Sequence, residues 1–195
     1  MSDAQLIDVA VDINPTAVIL PDVRFDSEAT IERSFNFLEY VHGKYPWKLL
    51  AVPQGKDFPS VMDSFDAFAD DMRIDGFGIY EEIGDVTGHG SRYAFLQYLE
   101  DNEMIDEDAF IHLLGMEEDP LKVKALSDFD WVMGVDSCKP IVYGIAEDMF
   151  IDGVGAHIPY PHRPKGYFDM TLTEKQLGVA KQNCFTMIRW CDRDV

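Results

Sequence analysis

The feature that most limits what this chain can fold into is a rhythm of five short apolar runs, each closing on a polar residue or a glycine. They are Ala17 to Asp22 (AVILPD), Trp47 to Gln54 (WKLLAVPQ), Gly76 to Glu81 (GFGIYE), Phe110 to Gly115 (FIHLLG) and Trp131 to Pro140 (WVMGVDSCKP). Runs of this length bounded by turn residues read as buried parallel strands, and the first four are each followed by a segment with helical apolar spacing. Strand-then-helix units of this kind build an α/β barrel or a doubly wound sheet, with the active site at the carboxyl ends of the strands.

A chain of 195 residues buries one sizeable core, so the expectation is one α/β domain over residues 1–195. Strand-helix units fill 1–140, an irregular excursion 141–170 and a final helix 171–195. No apolar run approaches the roughly 18 to 20 residues that span a bilayer, and Met1-Ser2-Asp3-Ala4-Gln5 lacks the pattern of a signal peptide. The expectation is a cytoplasmic protein that makes no membrane contact. Three cysteines, Cys138, Cys184 and Cys191, are too few and too scattered for a disulfide framework or a four-ligand zinc site, and no cofactor is expected. A formal charge of -20 repels polyphosphate and disfavours unaided binding of tRNA or DNA, while leaving room for contact with one flipped base.

Along the chain, Ala4 to Val11 has helical spacing and Asn14-Pro15 stops it. Asp26 is a plausible N-cap for a helix carrying Ile31, Phe35, Leu38 and Tyr45 on one face. The next helix presents Val61, Phe65, Phe68 and Met72. The acidic connection Glu81 to Gly90 reads as a lid or a solvated loop before a helix through Phe95 and Leu99. Asp119-Pro120 starts a further helix. Thr173 and Gln176 form a capping box, opening a last helix through Leu177, Ala180, Cys184, Ile188 and Cys191.

The strand ends supply Asp22, Gln54, Gly78, Leu114 and Asp136. An ionised carboxylate accepts two hydrogen bonds, and a guanine-like edge offers N1–H and an exocyclic amine side by side. Asp22 suits that edge, Gln54 can donate to the adjacent carbonyl, and a glycine such as Gly78 lets backbone approach a ring. Asp136 is a carboxylate able to attack a sugar carbon. Each of these residue types also serves as a strand-end cap or turn former.

Leu20-Pro21-Asp22, Val52-Pro53-Gln54-Gly55, the glycine-rich third run, His112-Leu113-Leu114-Gly115 and Gly134-Val135-Asp136-Ser137-Cys138-Lys139-Pro140 together resemble successive landmarks of the tRNA-guanine transglycosylase family. The match is closest to its compact, often phage-encoded branch linked to 7-deazaguanine chemistry on nucleic acid. The resemblance implies a TIM barrel that exchanges guanine for a 7-deazaguanine, in the host cytoplasm if phage-encoded. It makes Asp136 the nucleophilic aspartate and Asp22 and Gln54 the base-recognising residues. The backbone near Gly78 becomes the ring-approach segment, and Leu114 the apolar cover of the ring. The third run aligns to within about two residues, leaving Gly76 and Ile79 beside Gly78 as candidates.

Two family features have no counterpart here: the early Asp-Ser-Gly segment with a second carboxylate, and the Cys-x-Cys-x2-Cys zinc element. The resemblance thus covers the last five strands of an eight-strand barrel, a fold that usually takes about 250 residues. The expectation is a partial (β/α) barrel of about five parallel strands, completed by another chain, by self-association, or left as a relic. The leading functional reading is base exchange through an aspartyl intermediate. The alternatives are a non-catalytic nucleobase-binding or accessory subunit, and a structural virion or host-interaction protein on an enzyme scaffold. Elsewhere, His89 between two glycines reads as a loop histidine without metal partners, and His112 as a core histidine. Cys138 is a thiol with no helix start beside it. His157, His162, Arg163 and Lys165 form the one locally basic stretch.

Overall fold

The computed structural model describes residues 2–106, 108–115, 129–151, 161, 166 and 170–191. The protein is α/β, with five parallel strands flanked by helices in the alternation of a partial (β/α) barrel. It divides into two compact units, Met1–Leu113 and Leu114–Val195.

The first unit opens with α1 (Asp3–Ile13), whose N-cap Ser2 forms a capping box with Gln5 and whose C-cap Asn14 takes a left-handed conformation before Pro15. Then come β1 (Ala17–Ile19), α2 (Ser27–Val41), β2 (Lys48–Ala51), α3 (Phe58–Ala69), β3 (Gly76–Tyr80), α4 (Ile83–Val86), α5 (Arg92–Asp101) and β4 (Phe110–Leu114). The strands lie side by side in chain order, with β1 parallel to β2 and β2 parallel to β3. Such pairing needs a crossover between each pair, and α2 and α3 provide it. Each of α2, α3 and α5 starts on a side chain that accepts an otherwise unpaired amide: Asp26 from Ala29, Asp57 from Ser60 and Ser91 from Ala94.

The core of this unit lies between strands and helices, where Leu38, Leu50, Val61, Phe65, Phe68, Ile79, Phe95 and Leu99 are buried. Each such large side chain contributes about 1.5–3 kcal/mol of transfer free energy. Phe65 of α3 stacks on Phe77 of β3 at 4.4 Å, which sets the face of β3 that meets the helices. Gly76 is required where β3 passes β4, because a Cβ there would stand 2.0 Å from the Phe110 carbonyl oxygen.

The second unit holds β5 (Val132–Val135), α6 (Lys139–Ile145) and α7 (Glu174–Cys191). Gly144 of α6 lies so close to α7 that a Cβ would meet that of Ala180 at 2.5 Å. Asn183 of α7 accepts the Phe150 amide at 2.8 Å and donates to the Asp148 carbonyl at 3.0 Å. Phe150 in turn packs between Tyr143 and Trp190. The Thr173–Gln176 capping box is present, with Gln176 N donating to Thr173 Oγ1 and Thr173 N to Gln176 Oε1.

Several expectations are corrected. Helix α2 ends at Val41, so Tyr45 leaves its face and stacks on Trp47 instead. Met72 lies beyond α3 and is fully exposed. Residues 81–90 are not wholly a solvated loop: they include the short helix α4, Ile83, Gly84 and Thr87 are buried, and Gly84 abuts the Ser91 backbone too tightly for any side chain. Helix α6 occupies the start of the stretch read as irregular, so Cys138 does sit at a helix start, as the N-cap residue. In α7 the buried residues are Ala180, Asn183, Thr186, Met187 and Trp190, whereas Leu177, Cys184 and Ile188 are exposed. The reason is Asn183, whose hydrogen bonds draw its own face inward. Asp119-Pro120, His157, His162, Arg163 and Lys165 lie outside the described residues.

Candidate functional site

In the first unit Asp22 and Gln54 meet. Both follow the carboxyl end of a strand, β1 and β2 respectively, and the pairing of these strands in parallel brings their ends together. Gln54 Nε2 donates to Asp22 Oδ2 at 2.6 Å. Gln54 Oε1 accepts the Phe25 amide at 3.0 Å. A backbone N–H can only donate, so it fixes which end of the carboxamide faces Phe25 and directs the amine to Asp22. Gln54 is 3 % exposed and Asp22 half-buried, so the carboxylate is the part of the pair that meets solvent. Its Oδ1 takes no hydrogen bond from the described residues.

The backbone beneath the pair is held by hydroxyls from the helices after each strand. Ser34 of α2 donates to the Pro21 carbonyl at 2.9 Å, and Thr30 both accepts from the Val23 amide and donates to its carbonyl, each at 2.9 Å. Arg33 donates to the Asp22 carbonyl at 3.1 Å and reaches Asp3 of α1 at 3.2 Å. Across the site Ser64 of α3 accepts the Gln54 amide at 3.0 Å and donates to the Gln54 carbonyl at 2.9 Å. Gly55 then turns the chain against α3, where a Cβ would lie 2.5 Å from the Val61 amide nitrogen. Beside Asp22, Arg24 reaches across to pair with Glu82 after β3.

Gly78 lies in the middle of β3, buried like every residue of that strand, with Gly76 and Ile79 as its near neighbours. Tyr80 closes the strand. Sequence reasoning passed over it because an aromatic residue in an apolar run reads as core.

In the second unit Asp136 directly follows β5 and is exposed. Its Oδ1 accepts the Gly115 amide at 3.2 Å, which places the carboxylate beside the segment that leaves Leu114. Leu114 is half-buried. His112, expected in the core, is half-buried on the same face of β4, because burial alternates and the inward positions belong to Ile111 and Leu113. Lys139, three residues after Asp136, is 2 % exposed, a rare state for a lysine and one that requires compensation.

His89 is more than a loop residue. Its ring packs against Phe58, Phe95 and Tyr98, and Nδ1 lies 2.8 Å from Thr87 Oγ1. Among the described residues no group of three or more His, Cys, Asp or Glu side chains is placed to hold a metal ion. No described helix is long and apolar enough to cross a membrane. Two clefts, of about 250 and 310 Å³, lie at the opposite, amino ends of β2 and β3, bordered by Lys48 and Asp75 in one and Trp47 and Asp75 in the other. Compared with protein-family models and with curated proteins, the chain matches none.

Proposed function

We propose that this chain is a base-exchanging transglycosylase that binds guanine or a 7-deazaguanine, with Asp22 and Gln54 of the first unit as base-recognising residues and Asp136 of the second as nucleophile. The observation that carries the reading is the Asp22–Gln54 pair. A carboxylate held by a carboxamide of fixed orientation presents acceptors only, and so selects a ring edge bearing two donors. Gln54 retains a second amine hydrogen for a carbonyl beside that edge. In the reaction, an Asp136 carboxylate oxygen bonds to C1′ of the nucleotide, the C1′–N9 bond breaks, and guanine leaves with its electron pair, taking up a proton. The incoming base then gives up its own N9 proton, its nitrogen bonds to C1′, and the ester bond to Asp136 breaks. The substrate polymer, tRNA or DNA, is part of the proposal, as is association through β1, which pairs only with β2 among the described residues.

The test combines equilibrium dialysis of tritiated guanine with exchange of that label into tRNA and duplex DNA. Asp136→Asn is expected to lower exchange by about 10³-fold or more while leaving guanine binding within about twofold, since the amide keeps the volume and loses the nucleophile. Full exchange by Asp136→Asn overturns the catalytic role. The bond from Gly115 to Asp136 favours one second reading, a nucleobase-binding subunit in which Asp136 only caps its strand. Guanine binding without exchange by the wild-type chain on either polymer selects that reading.

A further inference from the structure

Tyr80 ends β3, and alternation along the strand puts Phe77 and Ile79 on one face and Gly76, Gly78 and Tyr80 on the other. Phe77 stacks on Phe65 of α3, so its face is the one turned to the helices. Tyr80 therefore shares the opposite face with Gly78. The residue is only 7 % exposed, and its hydroxyl is buried without a hydrogen-bond partner among the described residues. A buried hydroxyl left unmade costs more than the same site filled by phenylalanine, so packing alone does not account for a tyrosine here. Around it stand the charged groups of the site. Burial, then the Glu82 carboxylate, pushes the phenol up to about 12, with Arg24 opposing and Asp22 adding to the rise. The group thus stays protonated at neutral pH and remains a donor.

We propose that the Tyr80 hydroxyl is a ligand-binding donor of the Asp22–Gln54 site, giving its hydrogen bond to an acceptor atom of the planar heterocycle whose donor edge Asp22 holds. The chemical class that satisfies both is a lactam purine or 7-deazapurine, with two donors on one edge and a carbonyl oxygen adjoining. Asp22 supplies acceptors only, Gln54 one remaining amine hydrogen, and Tyr80 the one buried donor of the group without a partner among the described residues. The inference rests on the base-binding reading above and adds a residue to it.

Dialysis of tritiated guanine against the wild-type chain and Tyr80→Phe, with thermal melting of both, tests this. The variant is expected to bind about tenfold more weakly, the effect of losing one hydrogen bond to a ligand, with a melting midpoint equal to or above that of the wild type. As a second readout that keeps the hydroxyl, 3-fluorotyrosine is placed at position 80 and its fluorine resonance tracked as guanine is added; a shift is expected. Unchanged affinity in Tyr80→Phe overturns the role of Tyr80, and so does an unmoved resonance at saturating guanine, which decides the matter where the phenylalanine variant does not fold. A wild-type chain that takes up no guanine overturns the base-binding reading itself, so the two failures are told apart.

Discussion

Position 22 must accept, and that requirement comes from a backbone amide two links away. The Phe25 N–H orients Gln54, and Gln54 then offers its amine to Asp22. Asp22→Asn can satisfy Gln54 through its amide oxygen, so the fold should lose less than about 1 kcal/mol. Its amide nitrogen then faces the donors of the base, and guanine binding in dialysis should weaken by about tenfold or more, the cost of a donor facing a donor. Tyr80 adds a pH signature. Its pKa rises from about 10 in the unfolded chain to about 12 in the folded one, so its contribution to stability is complete below pH 10 and is lost as pH rises through 12. Absorbance titration should show a late-ionising tyrosine that is missing from Tyr80→Phe. The meeting of Asp22 and Gln54 was legible in the sequence because each closes an apolar run, and parallel pairing of the two strands brings those ends together. Tyr80 was not, since its aromatic ring fits the run and only its surroundings expose the hydroxyl.

At the scale of elements, the strands were legible and the inward faces of the helices only partly so. All five runs became strands because they were short, apolar and bounded by turn residues. The faces went astray where polar residues point inward, at Thr30 and Ser34 on α2 and Asn183 on α7, and Ser64 was left out of an α3 face otherwise read rightly at Val61, Phe65 and Phe68. Apolar periodicity counts such residues as outward, although each is buried and hydrogen-bonded to backbone of a neighbouring segment. Three of them, Thr30, Ser34 and Ser64, hold the site. Ser34→Ala leaves the Pro21 carbonyl without its donor, and Ser64→Ala strips both the amide and the carbonyl of Gln54. Each should lower stability in urea by about 1–3 kcal/mol. Ser64→Ala should also weaken guanine binding, whereas a serine of purely local importance would change the urea midpoint alone.

For the molecule as a whole, strand-helix alternation announced the α/β class, because five repeats of one supersecondary unit leave few other architectures. The packing of the second unit was hidden, since it depends on Asn183 bridging Phe150 and Asp148 rather than on an apolar stripe. Asn183→Leu keeps the volume and removes those bonds. Hydrogen exchange should then show lost protection in α6 and α7, with protection in β1 to β3 of the first unit retained. The hydroxyl clamps under Asp22 and Gln54 carry a last consequence. They grip main chain and leave the side chain at position 22 outside the load, so the framework that holds the pair is indifferent to what position 22 reads. If the pair reads a base as proposed, selectivity for a ring edge is therefore separable from folding, and exchanging the one carboxylate should retarget it from a donor-rich to a donor–acceptor edge with no helix or strand rebuilt.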